Sequence, residues 1–397
     1  MRFLGIALVG VGLGLAALMA ANAPVHGADE TVDGTVRFED TPYPRIAMLW
    51  RPGRGDDYAL ERHARYDLIL TGPWLFHLEY DAEPHGLAAG FTPESIETAQ
   101  ERVETLRELN PEAVILGDIY FFEYREDWLP EDHPWWLRVD GEREQFWPGT
   151  YRLDWTNPEV QEHTISRTLS LKEAGVDGVF YDNLRDEPDA WVPFLEKLRE
   201  AVGDDFLILA NSGYAVGEHD FAAPFINGFI YESGWSHGRT EWDEIVEAKQ
   251  HTESLLQEPR ISVIERFEVT EGRAGWPGDP GRGEPPEDRD HQARRWSMAY
   301  ALAIGDYFYL FADDTSHAHD WYEEYDREIG LPAAPGERVS SHVWRRRYDK
   351  ALVVVNLPGA EAPHEVTLDQ PAEDAFTGET GTTFTIPPGD GRILIME

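Results

Sequence analysis

Two apolar segments of the chain close on an acid: Gly175-Val-Asp-Gly-Val-Phe-Tyr-Asp-Asn183 on Asp182, and Gly228-Phe-Ile-Tyr-Glu232 on Glu232. On a β-strand, side chains two residues apart share a face. Asp182 then lies with Gly178 and Phe180, and Glu232 with Gly228 and Ile230. A buried carboxylate is unstable unless it is paired or shifts its pKa. Two of them facing one cleft are the arrangement that divides acid from nucleophile in glycoside hydrolysis. The alternative for each is a core salt bridge with an arginine such as Arg51 or Arg266.

Other polar and aromatic residues fall at the ends of comparable apolar runs. Trp50, Trp74, Asp118, Asn211, Glu265 and Asp313 do so, with Tyr120, Asn183 and Trp235 close behind. These nine are expected to bind substrate, Asp118, Asn211 and Glu265 by holding hydroxyls or tuning the acid pair. Acids make up about a fifth of the chain, so position at a strand end is weak evidence by itself. Trp128, Trp135, Trp136, Trp147 and Trp155 crowd one long segment. Flat rings suit the apolar faces of sugars, although packing is the commoner fate of any single Trp. Trp191, Trp242, Trp296 and Trp344 are assigned to packing.

Competing chemistries have less support. Asp313-Asp314-Thr-Ser-His317-Ala-His319-Asp320 carries enough ligand atoms for zinc or calcium, and would suit a metal-dependent deacetylase or esterase. Its spacing matches no helical His-x₃-His site. No G-x-S-x-G follows a strand, and no glycine-rich phosphate loop is present, so no cofactor is expected. A non-catalytic carbohydrate-binding barrel would keep the tryptophans without needing both carboxylates.

The elements that must position these residues repeat one unit, a short apolar run followed by an amphipathic stretch. The runs are Ile46–Trp50, Asp67–Leu70, Ala113–Phe122, Gly178–Tyr181, Phe206–Ala210, Gly228–Tyr231, Ile261–Ile264 and Tyr307–Phe311. They are apolar on both parities, as strands covered on both faces are. Helices are predicted over Pro93–Leu109 (Thr92 as cap; Ile96, Val103, Leu106 and Leu109 facing one way), from Asn157-Pro158, and over Ala190–Val202, Glu241–Leu256 and Gln292–Ile304. Eight such units suit a (β/α)₈ barrel over residues 44–335; a doubly wound open sheet is the alternative. Residues 336–397 predict a small antiparallel β domain, sandwich-like, opening with a hairpin around Asp349-Lys350. The loops Glu123–Trp155 and Val269–Arg289 are long enough to suggest a functional role.

Met1-Arg2, the apolar run Phe3–Ala21 and Ala21-Asn22-Ala23 read as a signal peptide over residues 1–23, followed by a disordered leader over 24–43. An uncleaved anchor is the alternative. The mature protein is expected outside the cytoplasm, periplasmic or secreted, as a monomer. The 397 residues hold 75 acids against 34 bases, a formal charge of −41. A surface this negative argues against nucleic acid or membrane as partners. Four of the bases are Lys and 30 are Arg. The composition suits a salt-adapted surface or an acidic extracellular protein. With no cysteine, disulfides, thiolate metal sites and a cysteine nucleophile are excluded.

The segment Gly175–Asn183, preceded by Asp154-Trp-Thr-Asn-Pro-Glu159, resembles the bacterial glycoside hydrolases related to the polygalactosaminidases and the hypothetical glycosyl hydrolase families around them. The resemblance spans roughly Arg45 to Glu397. It implies an exported (β/α)₈ barrel with one carboxylate ending strand four and another ending strand six. That would place Asp182 as nucleophile and Glu232 as acid/base, acting on a polysaccharide. Trp344–Asn356 looks like the opening hairpin of the trailing β domain common in such barrels. The chain departs from better-known members in its tryptophan-rich third loop and glycine/proline-rich seventh.

Overall fold

A computed structural model describes residues 41–396 apart from 53–55, 214–215, 233–240, 268–291 and 313–318. The proposed export segment, the seventh loop, Trp235, Asp313, Asp314 and His317 lie outside the described residues.

Eight parallel strands form one sheet: β1 (Ala47–Leu49), β2 (Leu68–Thr71), β3 (Val114–Asp118), β4 (Gly178–Tyr181), β5 (Leu207–Asn211), β6 (Gly228–Glu232), β7 (Val263–Phe267) and β8 (Phe308–Ala312). They are ordered as in the chain. The parallel bridge between Ile46 and Tyr309 closes the sheet into a barrel. Alternate residues fill the interior. Leu49, Leu70, Leu116, Phe180, Leu209, Ile230, Val263 and Leu310 form one apolar cluster, while the opposite parity packs against the surrounding helices. This double covering explains why the runs were apolar on both parities. Gly178 and Gly228 carry no side chain because a Cβ there would lie 2.4 Å from Leu207 O and 2.7 Å from Ser262 N respectively.

The longer helices are α2 (Pro93–Leu109), α3 (Pro158–Glu173), α4 (Pro188–Val202), α5 (Trp242–Leu255) and α6 (Gln292–Ile304), after a single turn α1 (Leu60–His63). The Thr92 side chain accepts from Ser95 N–H, and Asn157 from Glu159 N–H. Leu109 does not join the buried stripe of α2: it is the helix's last residue and is exposed.

The apolar run Ala113–Phe122 ends its barrel strand at Asp118, and Ile119–Phe122 lead into the third loop. That loop folds on itself. Glu123–Arg125 pairs with Thr150–Arg152, and Arg138–Val139 with Glu142–Arg143 across an Asp140-Gly141 turn with both residues at positive φ.

The C-terminal strands β9 (Glu337–Arg338), β10 (Val343–Arg347), β11 (Ala351–Asn356), β12 (His364–Asp374), β13 (Thr380–Ile386) and β14 (Asp390–Ile395) form a single antiparallel sheet. One face packs on α6, so closely that a Cβ on Gly391 would meet Ala299 Cβ at 2.4 Å. The other face carries its own small core, including Val354, Val366, Phe384 and Leu394. Among the described residues no helix is long and apolar enough to cross a membrane.

Candidate active site

The inward parity of each strand continues to the mouth of the barrel. Asp118 follows Leu116 on β3, Asn211 follows Leu209 on β5, Glu232 follows Ile230 on β6, and Glu265 follows Val263 on β7. Asp182 follows Phe180 one residue beyond the end of β4.

Asn211 links the two principal acids. Its Nδ2 donates to Asp182 Oδ1 at 2.7 Å and to Glu232 Oε1 at 2.8 Å. Its Oδ1 accepts from Gly213 N–H at 2.7 Å, which fixes which end of the amide faces the acids. The two bonds meet at one nitrogen, so the carboxylate oxygens lie no more than 5.5 Å apart, the two lengths laid end to end. Amide hydrogens splayed by about 120° bring them to roughly 5 Å. Asn183 Nδ2 donates to Asp182 Oδ2 at 2.8 Å, so both oxygens of Asp182 accept an amide N–H. Asn183 reaches this position in the left-handed region, φ 64°, which Asn tolerates better than most residues. Asp182 and Glu232 are half-buried, within reach of a ligand.

Asp118 stands beside this pair. Trp50 Nε1 donates to its Oδ2 at 3.1 Å. Burial, and then the negative charge of Asp182, push the Asp118 carboxyl up to about 7, against the opposing pull of the Trp50 hydrogen bond. Tyr120 is at the rim, 46% exposed, its ring edge-on to Trp128 at 5.0 Å. Burial and the neighbouring charges of Asp118 and Glu123 raise the Tyr120 hydroxyl.

Glu123 belongs to this acid cluster, although it was not among the expected site residues. It is buried at the start of the third loop, held by its pairing with Arg152. Burial, then the charges of Asp182 and Asp118, push it up to about 8, with Arg185 opposing. The signal in the sequence is an acid set inside the aromatic run Phe121-Phe122-Glu123-Tyr124, where a solvated carboxylate has no reason to be.

Glu265 is the Cα partner of Glu232 on the same inward parity and is fully buried, with His319 Nε2 3.9 Å from its carboxylate. Other expected residues stand elsewhere. Trp74 packs edge-on with Tyr58 and His63, at ring distances of 5.5 Å and 6.4 Å. Trp128, Trp135, Trp136 and Trp155 are buried, and only Trp147 of the third-loop rings is exposed. Four of the five third-loop rings expected to suit sugar faces are therefore the core of that loop. Trp135, for example, donates to Glu159, and Trp155 packs tilted against Trp191, their ring centroids 4.5 Å apart. Asp154-Trp-Thr-Asn-Pro-Glu159 likewise shapes the entry to α3: Asp154 accepts from Thr156, and Asn157 caps the helix. Arg51 pairs with Asp57 at 3.8 Å, and Arg266 lies over the Trp296 ring. Among the described residues no group of three or more His, Cys, Asp or Glu is placed to hold a metal ion.

No protein-family model matches the chain, and no curated protein matches it in sequence. Its fold recurs among solved structures. The type III pullulan hydrolase from Thermococcus kodakarensis aligns at TM-score 0.52 and 13% identity, over 91% of this chain and 77% of that one. The debranching enzyme from Nostoc punctiforme aligns at TM-score 0.51 and 10% identity, over 91% of this chain and 100% of that one. The glycoside hydrolase domain of PelA from Pseudomonas aeruginosa aligns at TM-score 0.45 and 14% identity, over 70% of this chain and 100% of that domain. With the pullulan hydrolase and the debranching enzyme the chain shares the architecture of a (β/α)₈ barrel.

Proposed function

We propose that the protein is an exported glycoside hydrolase that cleaves a polysaccharide by double displacement. Asp182 attacks the anomeric carbon and Glu232 protonates the departing oxygen, forming a glycosyl-enzyme ester. Glu232 then removes a proton from water, which attacks the same carbon and releases Asp182. The observation that carries this reading is the single Asn211 amide nitrogen bonded to both acids. Two carboxylates that share one amide nitrogen, with their bonded oxygens at most 5.5 Å apart, favour the closer spacing of a retaining pair, about 5–5.5 Å between carboxyl groups, over the spacing of about 6.5–9.5 Å in an inverting one. The two amide bonds to Asp182 support its role by aiming the nucleophile and favouring its ionised form. Export rests on the N-terminal sequence.

The test is incubation with a panel of polysaccharides that includes galactosaminoglycans and bacterial exopolysaccharides, with reducing-end release followed by proton NMR. The first-formed anomer is expected to match the configuration of the bond cleaved. Release of the opposite anomer would refute double displacement. Binding to the panel with no release by any substrate would replace the hydrolase with a carbohydrate-binding barrel.

A further inference from the structure

The two-acid chemistry gives Asp118 no task, yet its surroundings hold it in place. Trp50 closes β1 with its backbone at φ 63°, a region that bulky residues seldom occupy. Bonds on both sides impose that conformation: Trp50 N–H donates to Leu70 O at 2.6 Å, and Thr71 Oγ1 donates to Trp50 O at 3.4 Å. Its indole Nε1–H lies 3.1 Å from Asp118 Oδ2. Non-glycine strain of this kind persists where the surrounding structure over-determines it, and it clusters at functional sites.

Asp118 is also placed against the proposed nucleophile. Its Cα partner on β4 is Phe180, so Asp182, two residues further along the same inward face, is its diagonal neighbour. The charged and titratable groups around it include Asp182 from the end of β4, Tyr80 from the segment after β2, and Glu123 and Tyr120 from its own loop, with Arg185 opposing Glu123.

We propose that Trp50 and Asp118 form a positioning device for Asp182. The indole fixes one oxygen of a protonated Asp118 carboxyl, whose acid proton is held toward the ionised nucleophile, directly or through one water. The inference rests on the assignment of Asp182 as nucleophile. A protonated Asp118 steadies Asp182 without adding a second negative charge to the cleft. Once ionised it repels Asp182 and can no longer donate. The raised pKa of Asp118, about 7, places that change in the neutral range. Asp118 therefore sets an alkaline limit on turnover.

Two readouts test this, and the first needs no activity. In the intact protein, the Trp50 indole ¹⁵N–¹H resonance, assigned by its loss in Trp50→Phe, should titrate with a midpoint near 7. The midpoint should fall in Asp182→Asn, which removes the neighbouring charge, and the titration should vanish in Asp118→Asn. A resonance that does not titrate between pH 5 and 9, or a midpoint indifferent to Asp182→Asn, overturns the proposal whether or not sugar is released. The second readout is the pH profile of kcat/KM. Asp118→Asn, which remains neutral and can still donate, should keep most of the activity below pH 7 and move the alkaline limb upward. Asp118→Ala should lose about 10²-fold in kcat, the scale of a misplaced reacting group. An alkaline limb unmoved in Asp118→Asn overturns the proposal. Absence of turnover on every substrate would instead count against the hydrolase reading, and the resonance titration would still decide the role of Asp118.

Discussion

The acids at the barrel mouth are held against their own solvation, and Glu123 shows the cost most clearly. Its folded pKa of about 8 lies above the ordinary glutamate value of 4.5. Between those pH values the folded chain keeps a proton that the unfolded chain has released. Stability therefore falls as pH rises through the window, and the penalty is complete above 8. Glu123→Gln removes the titration while keeping the shape. Calorimetry should find its Tm raised over wild type at pH 9 and little changed at pH 4. An equal change at both pH values would mean that Glu123 is not held protonated. Such a cost in a stable barrel is reasonable only where the group has a use.

At the scale of elements, one side chain ties the third loop to the barrel. Arg167 on α3 is fully buried. It donates to Ala88 O at 2.7 and 3.1 Å, to His85 O at 2.6 Å and to Tyr124 Oη at 2.9 Å. It thus joins the segments that follow β2 and β3, next to Glu123. Arg167→Ala leaves several buried acceptors without a donor, so urea denaturation should show a loss of about 3 kcal/mol or more. A loss under about 0.5 kcal/mol, the range of ordinary surface changes, would contradict this anchoring role. The eight strands were legible in the sequence because strands covered on both faces leave an apolar signature on both parities. The parity of Asp182 and Glu232 could be read by the same rule. The third loop could not. Phe121 and Phe122 prolong an apolar run after its strand has ended, and the burial of Trp128, Trp135, Trp136 and Trp155 depends on how the loop folds back. Glu123 enters the site only through its pairing with Arg152 across that loop, which no local pattern announces. Asn211 was readable as a strand-end residue, but its double bond to both acids is a tertiary fact.

At the scale of the whole molecule, the formal charge of −41 is a standing repulsion that added salt relieves. The Debye length shrinks from about 10 Å at 0.1 M to about 3 Å at 1 M, so surface repulsion fades while buried pairs such as Arg294–Glu324 persist. The Tm should therefore rise by several degrees between 0.1 M and 2 M KCl. A flat or falling Tm over that range would show that the acids are already balanced within the fold. Sheet β9–β14 packs on α6, whose return strands β7 and β8 complete the barrel. Hydrophobic burial under that sheet is thus part of the same support that carries the site.

The most direct test of the account concerns Asp182. Asp182→Asn keeps the size of the side chain and removes the nucleophilic charge. It should release no reducing sugar from any polysaccharide that the wild type degrades, with a Tm within a few degrees of wild type. An Asp182→Asn protein that is folded and turns over at the wild-type rate would contradict the mechanism outright.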